Sequence, residues 1–415
     1  MNKTVAIVAT LDTKGRQVAF VRKLLTELGV NTIVVDAGIL TEPRTEPDIS
    51  REQVAEAAGV PLEDIRRRGR QGVVSMAEGA AKIVADIYHR GGLDGFLGMG
   101  GGQNTAIAST VAQALPLGVP KLIVSTVASG NMTFGPYVGT SDVTLMHSVA
   151  DVAGDNAIIS RVLSNAARAI AGMVQDSDRV RPSGRKTIAA TMLGVTTPCV
   201  ERATALLEKL GYEVVIFHAS GTGGRSMEEL VRSGFFHGVL DLTTHELSDH
   251  MYGGLMGSPG RLKAAAEMGI PQVVAPGGIE MISQGPLESI SPAFSGRPIL
   301  IHNTTITSVR LNEDEMRNVA RVVAERLNAS CGEVGVVLPL KGFCEFNRPG
   351  QPLYGPEADA AFVDTLRQHL RKEITVIELD NHMNDPVVAD TAVELMHRLM
   401  QSHYESRSKE GGKQA

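Results

Sequence analysis

Tryptophan is absent from this 415-residue chain, and Phe, Trp and Tyr together make up 4% of it. A surface that stacks single-stranded bases needs aromatic rings, so the composition argues against that function. Cysteine is scarce as well. Cys199, Cys331 and Cys344 are too few and too scattered for a disulfide framework or a four-thiolate zinc site, and a reducing cytoplasm is the simplest compartment. Basic charge is not in excess: 40 Lys and Arg stand against 46 Asp and Glu, a net charge of −6 that gives no footprint for nucleic acid. No apolar run of about 18 residues stands out, so no membrane span is expected. The start, Met1-Asn2-Lys3-Thr4, passes straight into a strand-like run, with no signal peptide expected.

What is present is glycine, 44 residues of it, in a chain of ordinary hydrophobic (43%) and charged (21%) content. The length suits two domains. Glycine-rich loops on buried parallel sheets are the pattern this composition suggests, and one stretch organises the rest. Phe96 and Leu97 close a short apolar run, Gly100, Gly101 and Gly102 remove three side chains in a row, and Ala106, Ile107 and Val111 then fall at helical spacing. A strand that runs through glycines into a helix aims backbone N–H groups at one point, where the helix adds roughly half a positive charge. Phosphate is the expected guest, with Thr105 adding a hydroxyl. No Gly-Lys-Ser/Thr follows, and Gln103 occupies the place a dinucleotide fingerprint gives to Gly or Ala. The alternative is a tight turn that holds nothing.

The N-terminal stretch reads as a βαβ unit. Val5 to Ala9 is a continuous apolar run, the look of a strand buried on both faces, and it ends in Thr10-Leu11-Asp12-Thr13-Lys14-Gly15. A helix with Val18, Val21, Leu24, Leu25 and Leu28 on one face follows, then the strand Thr32 to Val35, closed by Asp36. At a strand's carboxyl end the Asp36 carboxylate is placed for a ribose hydroxyl, or else caps the following turn. Ser50 with Gln53 reads as a capping box. Arg66, Arg67, Arg68 and Arg70 read as a solvated segment or subunit contact before a phosphate site. After the glycine-led helix, Lys121 to Val127 is a strand ending in the small-residue loop Ala128-Ser129-Gly130-Asn131. Asp12, Thr13, Lys14, Asp36, Gly100, Gly101, Gly102, Thr105, Ser125, Thr126, Ser129 and Gly130 therefore converge on one sheet edge, where open α/β sheets collect ligands.

A polar stretch from Asp176 to Arg185, punctuated by Pro182 and Gly184, reads as a linker between residues 1–178 and 186–401, with 402–415 a polar, frayed tail. The second part echoes the first: Thr187 to Thr191, a helix ending at Gly211, and Glu213 to Phe217. Then comes a second glycine turn, Gly221-Thr222-Gly223-Gly224-Arg225, which with the first would clamp a polyphosphate. Strands near 238–243, 272–277 and 299–301 end in His245-Glu246, Glu280 and His302-Asn303. The zinc-protease motif fails because Asp249 stands where the second His belongs. Mg²⁺ fits better, since carboxylates and phosphate oxygens form its usual shell, and Asp241, Glu246 and Glu280 are the candidates.

Many of these segments together resemble the Tm-one-like ATP-binding family: bacterial proteins of unknown activity similar to the N-terminal ATP-binding domain of a plant inhibitor of viral RNA replication. The resemblance is carried by Ala9 to Gly15, Gly100 to Gly102 with Thr105, and Pro120-Lys121 through Ser125 to Gly130. Tyr137 to Asp142, Gly221 to Arg225 with Met227-Glu228, and Asp241 to Thr244 continue it. Pro276-Gly277-Gly278, His302-Asn303 and Leu338 to Phe343 extend it over nearly the whole chain. It implies two doubly wound Rossmann-like lobes with mostly parallel sheets, ATP held in a cleft between them, Mg²⁺, and a homodimer. The chain departs from the family's pattern at His245, where a third Thr is favoured, and at Glu280, where Asp is favoured.

The leading expectation is an ATP-dependent enzyme acting on a small metabolite by phosphoryl or nucleotidyl transfer. Lys14 and Arg225 would compensate charge, and His245, Glu246 and Asp241 would be its catalytic groups. Two alternatives stand beside it: a non-catalytic ATP sensor, and a metal-dependent enzyme acting on a small acid.

Overall fold

The computed structural model describes residues 3–129, 135–175 and 184–411. The chain divides into two compact units, Met1–Arg181 and Pro182–Ala415, each taken by itself below. Residues 176–183 of the expected linker lie outside the described residues.

In the first unit five strands form one sheet: β1 (Thr4–Ala9), β2 (Asn31–Asp36), β3 (Gly95–Gly100), β4 (Lys121–Ser125) and β5 (Thr144–His147). All neighbours are parallel and the order is β2-β1-β3-β4-β5. The continuous apolar run of β1 has its reason in two cores. Val5, Ile7 and Ala9 pack under the helices Leu11–Glu27 and Ala157–Gln175. Ala6 and Val8 pack under the helices Arg51–Ala57, Gly72–His89 and Gly102–Ala114 on the other face. The Ser50 capping box forms, with the Ser50 N–H donating to Gln53 Oε1 at 2.9 Å. The helix Ala157–Gln175 is long and apolar enough by composition to cross a membrane, although Arg161 and Arg168 interrupt its apolar run. Its Ile159, Leu163, Ala166, Ile170 and Val174 are buried in the sheet's core.

The strand order changes direction between β1 and β3. A ligand crevice in a doubly wound sheet opens outside the carboxyl ends of the strands at such a point. Ala9 and Gly100 end there, so the glycine stretch lies at the switch point of the first sheet.

The second unit has the parallel strands β6 (Thr187–Met192), β7 (Glu213–His218), β8 (Gly238–Thr243) and β9 (Gln272–Gly277). A small antiparallel sheet follows, of β10 (Met281–Gln284), β11 (Ile299–Ile301) and β12 (Thr307–Arg310) in the order β10-β12-β11. The parallel sheet is completed by β13 (Val334–Pro339) and β14 (Thr375–Leu379), in the order β14-β13-β9-β8-β6-β7. Its direction changes between β6 and β8. Both units are thus doubly wound α/β bodies with Rossmann-like, mostly parallel sheets. Because β11 belongs to the small sheet, His302 and Asn303 sit in its hairpin and not at the carboxyl edge of the parallel strands. The stretch expected to fray from residue 402 instead continues the helix Pro386–Gly411. Ser402 Oγ donates to Glu333 Oε1 and the Tyr404 hydroxyl to the His237 carbonyl, each at 3.0 Å.

Candidate functional site

At the first switch point two helix starts are tied together. Asn104, in the first turn of Gly102–Ala114, accepts the Thr10 N–H on Oδ1 (2.9 Å) and donates from Nδ2 to Thr10 Oγ1 (3.0 Å). Thr10 Oγ1 in turn meets Thr13 Oγ1 at 2.7 Å. On the far side Thr105 Oγ1 donates to the Gly101 carbonyl (3.0 Å) and lies 2.6 Å from Ser125 Oγ, which accepts the Val127 N–H. Thr105 and Ser125 are buried, so they brace the turn from beneath.

The three glycines play different parts. Gly100 has φ +143°, and a Cβ there would lie 2.6 Å from Asn104 Cβ, so both backbone and packing require glycine. Gly101, at φ −82° and ψ −168°, has ordinary extended backbone. Among the described residues, a Cβ on Gly101 would meet only Thr126 Oγ1 at 3.7 Å, and one on Gly102 only Val127 Cγ1 at 4.0 Å. Nothing among the described residues explains these two. Gly101 is the helix N-cap and offers no side-chain cap, and Gly102 and Gln103 are exposed. The first-turn amides therefore face outward beside a surface that side chains would fill. That arrangement suits a phosphate group. Thr13 and Ser129 are exposed and Thr126 half-exposed on the same edge. Gly130 lies outside the described residues.

Two expected ligands are already engaged. Asp36 is fully buried. Its Oδ1 accepts the Leu11 and Gly38 N–H groups at 3.0 and 2.8 Å, and its Oδ2 pairs with Arg51 at 2.7 Å. It is a structural carboxylate that fixes the start of the first helix, and no ribose can reach it. Asp12, 1% exposed, accepts the Leu40 N–H at 2.9 Å and fastens the loop after β2. Lys14 does remain at the edge, its ammonium 3.6 Å from the Asp151 carboxylate. In the arginine cluster, Arg66 donates to the Ile39 carbonyl and to Glu63, so it anchors a loop.

The second switch point is filled from within. Arg261 is wholly buried, and its guanidinium meets three carboxylates: Asp241 at 2.7 Å, Glu246 at 2.7 Å and Glu228 at 3.3 Å. Burial works against its charge, but the three carboxylates outweigh burial and raise its pKa above the ordinary value. Glu246 Oε1 also accepts the N–H groups of Gly221 and Gly224, the latter at 3.0 Å. These are the donors that a phosphate on this glycine turn would use. A Cβ on Gly224 would fall 1.9 Å from Glu246 Oε2, and one on Gly223 1.9 Å from the His218 carbonyl. The turn is glycine-rich to admit the chain's own carboxylate and a neighbouring strand end. Gly221, Gly223 and Gly224 are therefore corrected from cofactor ligands to structural glycines. The Arg225 side chain is exposed, its Nη2 at 3.4 Å from Thr222 Oγ1.

The expected catalytic groups share this burial. Asp241 (1% exposed) accepts from Thr191 Oγ1 at 2.7 Å besides pairing with Arg261. His245, fully buried, has Nδ1 3.0 Å from the Gly278 carbonyl and Nε2 3.0 Å from Ser283 Oγ. A carbonyl only accepts, so Nδ1 donates to it; Nε2 also lies 3.5 Å from the buried Asp249 carboxylate. Glu280 is fully buried, and burial raises its pKa against the pull of Arg310. No group of three or more His, Cys, Asp or Glu suited to a metal occurs among the described residues. His245, Glu246 and Asp241 as catalytic groups, and Glu246 and Glu280 as metal ligands, are thus corrected to parts of the packed interior. Sequence reasoning missed Arg261, which sits in Gly257-Ser258-Pro259-Gly260-Arg261 and reads as a loop residue. It also missed β5 and the segment Ser148–Gly154, which no local apolar run announces.

Comparison with known proteins agrees with this two-part architecture. The N-terminal domain of Uncharacterised protein family (UPF0261) matches residues 3–179, and the C-terminal domain of the same family matches 185–400. A UPF0261 protein of Clostridium tetani is 40% identical over 405 residues, covering 97% of this chain and all of that one. The ToMV resistance protein Tm-1(GCR237) of Solanum lycopersicum is 41% identical over 310 residues, covering 73% of this chain but 41% of its own length. Among solved structures, an S. aureus MnaA–UDP complex aligns over 66% of this chain and 79% of its own. Its 13% identity and TM-score of 0.24 carry no functional argument. With both of its domains matched in order over nearly the full length, the chain belongs to the UPF0261 family.

Proposed function

We propose that this chain is an ATP-binding protein whose N-terminal unit seats the triphosphate on the Gly101–Gly102 turn. One observation carries the reading: two glycines that neither their backbone nor packing among the described residues requires stand at an uncapped helix start on the switch point of a doubly wound sheet. The phosphate would be held by the amides of Gly102, Gln103 and Asn104, with Thr13, Thr126 and Ser129 around it and Lys14 as the nearby cation. The sequence resemblance narrows nucleotide to ATP. When bound, ATP supplies a transferable phosphoryl group; Thr105 and Ser125 keep the turn in shape to receive it. Mg²⁺ would come with the nucleotide on its phosphate oxygens, because Asp241 and Glu246 are committed to Arg261 and Glu280 is fully enclosed.

Binding is the part of the expectation that the geometry supports best. The substrate-side catalytic set is not carried forward, since each member is buried and engaged. The test is calorimetry of ATP against the wild type and Gly101→Val. The variant is expected to lose affinity by about a hundredfold or more while its melting temperature stays within about 2 °C, because the new side chain enters ligand space and not packed space. Equal affinity in a folded variant removes the turn from the site.

A further inference from the structure

Among the buried cations of the described residues, Lys14 has the most exposed partner, ahead of Lys121 with Asp142 at 39%. Arg51 and Arg261 pair with carboxylates that are themselves 4% exposed or less. The Lys14 side chain is 11% exposed, but its partner Asp151 is 70% exposed, and the 3.6 Å between them exceeds hydrogen-bond range. A deeply set ammonium is therefore covered by a carboxylate that water already solvates. Such a contact is easily exchanged for another anion.

The segment that brings Asp151 there is strained. Ser148 follows β5 and donates its N–H to the Ser125 carbonyl at 3.1 Å, which pins one end. Gln17 Nε2 donates to the Gly154 carbonyl at 2.7 Å, which pins the other end to the helix that carries Lys14. Between the pins Val149 lies at φ +66°, a conformation that β-branched residues rarely adopt. The Ala150 N–H returns to the Ser148 carbonyl at 2.7 Å, closing a three-residue turn of the strained kind. Val149 is 67% exposed, so no burial offsets the strain. Strain of this kind gathers where a ligand is handled. The segment starts beside β5 and the end of β4 and reaches the helix that follows β1, on the sheet edge that also carries Gly101 and Thr126.

We propose that Asp151 is a specificity-determining residue: its carboxylate stands on Lys14 in the place of a ligand anion, and a polyphosphate must displace it. This rests on the nucleotide reading above. A ligand rich in negative charge competes well for Lys14, whereas a weak anion leaves the Lys14–Asp151 contact in place. Lys14 is thereby kept from binding simple anions.

The experiment measures ATP and inorganic triphosphate binding by calorimetry at low ionic strength. It uses the full-length wild type, Asp151→Asn, Lys14→Met, the double variant and Gly101→Val. Asp151→Asn is expected to tighten both ligands about fivefold, the size of an exposed ion-pair competitor removed. Lys14→Met weakens binding, and in the Lys14→Met background Asp151→Asn has no further effect. A gain that persists without Lys14 is general charge repulsion and overturns the proposal. So does wild-type binding that is lost in Gly101→Val but unchanged in Asp151→Asn, an outcome that leaves the nucleotide reading standing. Absence of binding to the wild type and to Asp151→Asn alike overturns both.

Discussion

Replacing Glu246 by Ala should open an anion site in the second unit that small carboxylates can refill. The side chain is fully buried, pairs with Arg261 at 2.7 Å and accepts the Gly221 and Gly224 amides. Arg261 keeps Asp241 and Glu228 after the substitution, so its charge is not orphaned. Two buried amides are, and each unsatisfied donor costs about 1–3 kcal/mol. Together with the lost pair, destabilisation of about 4 kcal/mol is expected, within the range for breaking a buried ion pair. With a urea slope of about 3 kcal/mol per molar for a unit of this size, the midpoint falls by about 1.3 M. Acetate can occupy the vacated volume and accept the same amides. At about 100 mM acetate and a dissociation constant of about 10 mM, mass action returns about 1.4 kcal/mol, a third of the loss. The assay is urea unfolding of wild type and variant in acetate and in chloride at equal ionic strength. If the variant loses less than about 1 kcal/mol, or chloride restores it as well as acetate, Glu246 is not the occupant of the glycine turn.

Two further outcomes follow from the same geometry. Asp36→Asn removes one partner of a buried pair and should lower stability by about 3–5 kcal/mol. The ATP affinity of the folded variant should stay within about twofold by calorimetry; lost affinity at unchanged stability would return Asp36 to the ribose. Glu280 sets a pH dependence. Burial raises its pKa in the folded state, so the folded chain binds a proton that the unfolded chain has lost at the same pH. Its contribution is full below the ordinary glutamate value and declines as pH rises through the raised one. Glu280→Gln should therefore gain stability on the wild type as pH is raised from about 4 to 8, with the curves converging at the acid end. Parallel curves in urea titrations across that range would refute it.

How much of this could be read in the sequence depends on how local each signal is. The apolar runs of β1 and β2, the Ser50–Gln53 capping box and the glycine stretch at 100–102 are settled by residues a few positions apart. The sequence reading and the structure agree on them. The edge strand β5 has no β-branched run and two of its four residues are exposed, so nothing in Thr144-Leu145-Met146-His147 announces it. The partners of Asp36 and Glu246 lie 15 residues away in each case, Arg51 and Arg261, in segments with no periodic relation to them. A carboxylate at a strand's carboxyl end looks the same in sequence whether it awaits a ligand or already holds an arginine. Only the fold decides, and here it decides against the ligand for Asp36, Asp241 and Glu246.

The glycines need the same separation of causes. Both units place a glycine turn near the switch point of a doubly wound sheet, and both turns open on helix-start amides. In the second unit the amides meet Glu246, and Gly224 is glycine because a Cβ would strike that carboxylate. In the first unit Gly100 is glycine for its own positive φ and for Asn104, as a purely structural turn would require. Gly101 and Gly102 have no such cause among the described residues. Exposed glycines with empty surroundings occur elsewhere in the chain, Gly135 and Gly172 among them, so emptiness alone means little. At 101 and 102 it coincides with an uncapped helix start, a buried Thr105–Ser125 brace and a sheet edge where ligands gather. An anion seat that one unit fills from its own chain and the other leaves to solvent is accounted for if the second seat is kept for something that arrives from outside.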